Sequence, residues 1–293
     1  MRSLLGSCGL LGVVAAGVLA ACGAAPSAPR LPDLATPATS AGRLVGTGVG
    51  HERLFLDCQG ARGPTVVLEA DLGVESGTWA AVQPGVASFA RVCRYDRAGL
   101  GLSGRGPRPR DAREQVRELR GLLAHAHLAP PYVLVGAGFG ALAAQLFARD
   151  ARREVAGLVL VDGAAPAAER RIEALLHPDQ RWGWRRALEA NPEGVRLADL
   201  AASAAEVARA APMPKIPLVV LRRGLPLDGG AGWPTAAVER TWAELQAELA
   251  ASSPLGVVEV AGASHHRIAE SQPELVIEAV RQVVARARAK ARG

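Results

Sequence analysis

Pro131–Ala148 reads PYVLVGAGFGALAAQLFA. Tyr132–Val135 is an uninterrupted apolar run of strand length. Gly136-Ala137-Gly138-Phe139-Gly140 is a glycine-rich turn, and Phe139–Arg149 is an alanine-rich stretch with helical spacing. A buried strand that passes through a tight turn straight into a helix is the repeating unit of an α/β sheet.

The unit recurs on both sides. Leu44–Val45 and Arg53–Asp57 read as two short opening strands, and Thr65–Ala70 (TVVLEA) as a buried one between Gly63-Pro64 and Gly73. Ser76–Phe89 has helical spacing, and Arg91–Tyr95 (RVCRY) is the next strand. Asp111 is placed to cap a helix over 111–128 whose Val116, Leu119, Leu122 and Leu123 share a face. Val155–Val161 (VAGLVLV), Pro217–Leu221 (PLVVL) and Val257–Val260 are further strands, with helices over 238–250 and 274–287. The expected fold is a mostly parallel, doubly wound α/β sheet covered on both faces. Residues 165–211 are too long for a plain crossover. They read as an inserted helical cap over the carboxyl ends of the strands, where such sheets place their sites.

The chain has 293 residues, enough for one α/β domain with an insertion. Its hydrophobic fraction is 49% but aromatics are only 4%, so the core must be aliphatic. The formal charge of +6 is not gathered into a basic stripe with interleaved aromatics, so nucleic acid is not an expected partner. Residues 1–21 carry Arg2 and then an uncharged apolar run, which reads as a signal peptide. The run ends Leu19-Ala20-Ala21-Cys22-Gly23, which resembles the bacterial lipobox. That resemblance implies export, cleavage before Cys22, and lipidation there. The expected product is anchored to the cell membrane and faces the periplasm or the exterior. Residues 22–42 then serve as a lipidated tether rich in Pro, Ala, Ser and Thr, and 43–293 form the domain. With Cys8 in the leader and Cys22 at the anchor, Cys58 and Cys93 remain as an even pair in an oxidising compartment.

TVVLEADLG (65–73), Thr78-Trp79, VCRYDRAGLGLS (92–103), the 131–148 stretch and SHHRIAESQPELVIEAVRQVV (264–284) resemble the α/β-hydrolase superfamily in order and spacing. The resemblance runs from about residue 43 to the end and is weakest in the cap. It implies a nucleophile elbow, G-x-S-x-G, at 136–140. Here Gly138 stands where the serine is expected, and Ala137 where relatives often carry histidine. Glycine has no hydroxyl, so no acyl-enzyme can form at that position, while its backbone suits the strained turn. The family histidine maps to His266, seven residues before Pro273, with His265 beside it. The acid maps to Asp162 or Asp228, both at strand ends, with a slight preference for Asp162. The oxyanion donors map to the N–H groups of Leu72 and Phe139. Relatives read E-A-G-L-G where this chain has Glu69-Ala70-Asp71-Leu72-Gly73, so Asp71 replaces a glycine beside the hole. A carboxylate there opposes developing negative charge, and the loss of one oxyanion donor alone typically costs roughly 10²–10³ in rate. The neighbouring strands of this fold bring Cys58 and Cys93 together. Relatives carry the pair, and a disulfide there is worth about 3–4 kcal/mol in the chain-entropy model.

The reading favoured by these residues is a membrane-anchored hydrolase-fold protein, inactive as a serine hydrolase, that retains a pocket for a small molecule. Two alternatives stay open. One is hydrolysis of esters or amides by a non-serine route, with Ser103, Ser264 or an Asp71–His266 pair in play. The other is lyase-type acid/base chemistry through His266. No cofactor and no metal site are expected, because adjacent His265 and His266 on a strand face opposite ways and no Cys or His spacing suits zinc. Oligomeric state is not legible. Gly138→Ser is the change that the sequence singles out as most informative.

Overall fold

A computed structural model describes residues 42–48 and 52–292. The expected signal peptide, Cys22 and nearly all of the expected tether lie outside the described residues.

Strands β1 (Arg43–Gly46) and β2 (Arg53–Gln59) pair antiparallel, and β2 pairs antiparallel with β4 (Arg91–Tyr95). The remaining strands, β3 (Thr65–Glu69), β5 (Tyr132–Ala137), β6 (Val155–Val161), β7 (Leu218–Arg223) and β8 (Gly256–Ala261), run parallel. The sheet order is β1-β2-β4-β3-β5-β6-β7-β8. This is the mostly parallel, two-sided sheet that the continuous apolar runs require. Successive residues of those runs go to opposite faces. Val67, Leu134, Leu158 and Leu218 enter one core, and Val66, Val133, Val159 and Val219 enter the other.

The first core is covered by α2 (Ala112–His125), α3 (Gly140–Asp150) and α7 (Thr235–Ala251), the second by α1 (Gln83–Ala87) and α9 (Pro273–Arg292). Asp111 caps α2 through its side chain, which accepts from Glu114 N at 2.9 Å. The helix expected over 76–89 is instead a 3-10 turn (Ser76–Trp79) followed by the short α1, because Pro84 sits in the first turn of α1 and has no N–H to extend a longer helix. Between β6 and β7 lie α4 (Ala168–Glu173), α5 (Pro178–Glu189) and α6 (Leu197–Arg209). A short α8 (Ile268–Ser271), which periodicity does not reveal, precedes α9.

Two strand registers position the chemistry-bearing residues. Cys58 lies opposite Cys93 across β2 and β4, and the two are joined in a disulfide with Cα atoms 4.1 Å apart. On parallel β3 and β5, Glu69 lies opposite Gly136. Two residues further along each strand, Asp71 and Gly138 therefore emerge level with each other at the carboxyl end of the sheet. The strand order reverses here, which opens a crevice.

Candidate active site

The turn from β5 into α3 is sharp. Gly138 has φ +45°, its N–H donates to Val161 O at 3.2 Å, and its carbonyl accepts from Ala164 N at 2.8 Å. Only a residue without a Cβ adopts that conformation at little cost. The space beside it is not empty. A Cβ built on Gly138 falls 1.9 Å from Asp71 Oδ1 and 2.6 Å from Asp71 Oδ2. The Asp71 carboxylate thus occupies the volume that a side chain at 138 would need.

Its hydrogen bonds tie it to both sides of the crevice. Oδ1 accepts from Leu72 N at 2.7 Å and Phe139 N at 2.6 Å, the two N–H groups mapped as oxyanion donors. Oδ2 lies 2.7 Å from His266 Nε2. On the far side of the ring, His266 Nδ1 is 2.7 Å from Asp162 Oδ2. One carboxylate therefore fills the hole and also takes the contact with histidine that a nucleophile would make. Asp71 does not point to solvent. Positions 71 and 138, separate in the sequence, share one space.

Asp162 is completely buried at the end of β6 with φ +43°. Arg223 N and Trp242 Nε1 donate to its Oδ1 at 3.1 and 2.7 Å, and Arg223 Nη1 donates to its Oδ2 at 2.8 Å. Arg223 is held in turn by Glu239 and by the face of Trp242, whose ring centre is 4.5 Å from the guanidinium carbon. Asp228 plays no comparable part. It is exposed and accepts from Gly230 N at 2.9 Å, because a short loop turns it back on its own backbone. The residues that sequence reading missed are Arg223 and Trp242. Their signals, an arginine after an apolar strand and a tryptophan within a helix, are indistinguishable from ordinary core and surface use.

The other candidates are structural. Ser103 Oγ donates to Asp96 O at 2.6 Å and accepts from Phe55 N at 2.8 Å. Ser264 is buried and donates to Gln272 Oε1 at 2.8 Å. His265 Nδ1 lies 2.7 Å from Pro226 O. Among the described residues, no group of three or more His, Cys, Asp or Glu is placed to hold a metal ion.

Electrostatics fix the protonation states. Burial alone would lower the His266 pKa, but the Asp71 charge and hydrogen bonds to both carboxylates outweigh it and raise the pKa from 6.5 to about 10. Burial opposes the ionised form of Asp71, yet His266 and the two backbone N–H groups hold its carboxyl below the ordinary range. Asp162 is likewise held low against burial by His266 and Arg223. At neutral pH the site is an imidazolium between two carboxylates, and such an imidazolium has no lone pair with which to act as a base.

These shifts make stability depend on pH. The folded-state pKa of His266 lies above its unfolded value, so its stabilisation is complete below about pH 6.5 and is lost as pH rises toward about 10. Asp71 and Asp162 contribute fully above their unfolded 3.8 and lose that contribution in acid. Thermal melts should show greatest stability between about pH 4 and 6.5, with the melting temperature roughly 5–10 °C lower at pH 10. In His266→Gln the alkaline slope should vanish. An identical slope in that variant would place its origin elsewhere.

Above the charged floor lies a cavity of about 370 Å³, walled by apolar side chains including Leu142, Ile172, Leu188 and Leu200, with Trp184 and Trp233 among its lining.

Searches among known proteins agree with this arrangement at the level of fold. No family model matches. A thermophilic esterase from Thermogutta terrifontis superposes with a TM-score of 0.59 at 23% identity, covering 84% of this chain and 98% of that one. A hydrolase from Pseudomonas aeruginosa PA01 gives 0.60 at 19% identity, over 84% and 98%. The chain has the α/β-hydrolase fold. Among curated proteins, YqjL of Bacillus subtilis is 38% identical over 106 residues, 36% of this chain and 42% of its own length. A protein of Gibberella zeae described as an AB hydrolase superfamily protein is 31% identical over 120 residues, 38% of this chain and 37% of its own. The match thus spans less than half of either relative. Within that fold, the glycine turn, the Leu72 and Phe139 N–H groups and the Asp162–His266 pair lie together at the carboxyl end of the sheet, with the Asp71 carboxylate between them.

Proposed function

We propose that this chain is an exported, membrane-anchored α/β-hydrolase-fold protein that does not carry out serine acyl transfer and keeps its cavity as a binding site for a small molecule. One observation carries the reading: Asp71 spans the oxyanion donors and His266 at the same time. A substrate carbonyl has no donors to polarise it, no hydroxyl stands at 138 to attack it, and His266 is already protonated. The non-serine hydrolase and lyase readings both need His266 as a base, and its two carboxylates oppose that role. Export and anchoring rest on the apolar leader ending at Cys22, and the Cys58–Cys93 disulfide fits an oxidising compartment.

The test is a p-nitrophenyl ester panel together with a fluorophosphonate probe for activated hydroxyls. The natural chain should turn over no faster than His266→Ala and should take up no phosphonate. Ester turnover that disappears in His266→Ala would overturn the reading.

A further inference from the structure

The cavity is more specific than its apolar walls suggest. Its floor already holds a carboxylate. Asp71, Asp162 and Glu239 stand against His266 and Arg223, so the ionised groups at and behind the floor carry one excess negative charge. The place where a carboxylate ligand would find two N–H donors and an imidazolium is taken by Asp71 itself. The rings of Trp184 and Trp233 stand 6.0 Å apart on the lining and add aromatic surface to the apolar walls.

We infer that Asp71 acts as a built-in stand-in for a carboxylate ligand, so that the cavity takes an uncharged aliphatic molecule and rejects its carboxylate analogue. This rests on the reading of the site as a binding cavity. The apolar walls take the chain, and Asp71 turns away a second anion. A cavity of 370 Å³ suits a molecule at the small end of the ligand range.

Equilibrium dialysis of the full chain at pH 8 with decanamide and decanoate separates the outcomes. The natural chain should hold decanamide at least tenfold more tightly than decanoate. Asp71→Gly should reverse the preference, raising decanoate affinity at least tenfold as the ligand carboxylate takes over the Leu72 and Phe139 donors and His266. Asp71→Asn, which keeps the shape without the charge, should narrow the gap. Failure of decanamide to bind the natural chain, or decanoate bound as tightly as decanamide, overturns the inference. So does a folded Asp71→Gly or Asp71→Asn chain with no gain for decanoate. None of these readouts depends on ester turnover, so the inference fails separately from the functional reading beneath it.

Discussion

Gly138→Ser alone is expected to produce a less stable protein with no esterase activity, while Gly138→Ser combined with Asp71→Gly recovers stability and turns over esters. The reason is steric. A Cβ at 138 lies 1.9 Å from Asp71 Oδ1, so the carboxylate must leave a position where two backbone N–H groups and His266 hold it. Displacing a half-buried, hydrogen-bonded charge costs about 2–4 kcal/mol, or roughly 5–15 °C in a domain of this size. Removing Asp71 as well relieves the clash, reopens the hole and frees His266 of the anion that holds its proton, leaving it paired with Asp162. Serine removal costs on the order of 10⁶ in turnover elsewhere, so even imperfect restoration should raise p-nitrophenyl butyrate hydrolysis on the order of 10³-fold. Melts and rates of the natural chain, both single variants and the double form a cycle with a coupling of about 1–3 kcal/mol. A single Gly138→Ser variant as active and as stable as the double would show that Asp71 does not block the site.

The largest loss of stability is expected from Arg97→Met. Arg97 is 2% exposed and lies between Glu69 and Glu193, donating to Glu69 Oε1 at 2.8 Å and to both Glu193 oxygens at 2.8 and 2.9 Å. It also donates to the carbonyls of Ala70 and Asp71. Burial pushes the Glu69 carboxyl up against the pull of Arg97, and Tyr95 donates to its other oxygen. Without the guanidinium, two buried carboxylates face each other unpaired, which costs about 3–5 kcal/mol. Urea unfolding should show the midpoint lowered with the slope unchanged. Arg97→Lys should recover only part, because an ammonium cannot reach both glutamates and two carbonyls in one plane. A loss below about 1 kcal/mol would mean that water takes over the role of the arginine. The same cluster fixes the loop that bears Asp71, and Glu193, from the α5–α6 connection, also accepts from Gly73 N at 2.6 Å.

Much of this architecture is legible in the sequence because it rests on local signals. The runs TVVLEA, VAGLVLV and PLVVL could only be strands buried on both faces, and they are. Gly138 at the elbow and His266 before Pro273 are singled out by the resemblance to α/β hydrolases. Asp162 could only be preferred to Asp228, since both end a strand; it is Asp162 that lies against His266, in a shell with Arg223 and Trp242 drawn from distant segments. Asp71 shows the limit most clearly. Its charge beside the hole is visible in E-A-D-L-G. That it fills the space of residue 138 depends on the Glu69–Gly136 register of two strands far apart in sequence, which no local pattern encodes.

The interlock of Asp71 with Gly138 also constrains how such a chain can change over evolutionary time. A chain with an aspartate in the first loop and a serine in the elbow clashes, whereas a chain with glycine in both places has only an open space. The resemblance to α/β hydrolases implies a glycine in that loop together with a serine in the elbow. Of the two single-step routes from that pattern to the one here, only the route that loses the serine first avoids the clash. Once the aspartate has settled, a lone mutation back to serine meets filled space. The exchange acts as a latch, passed easily in one direction and reopened only by two coordinated substitutions.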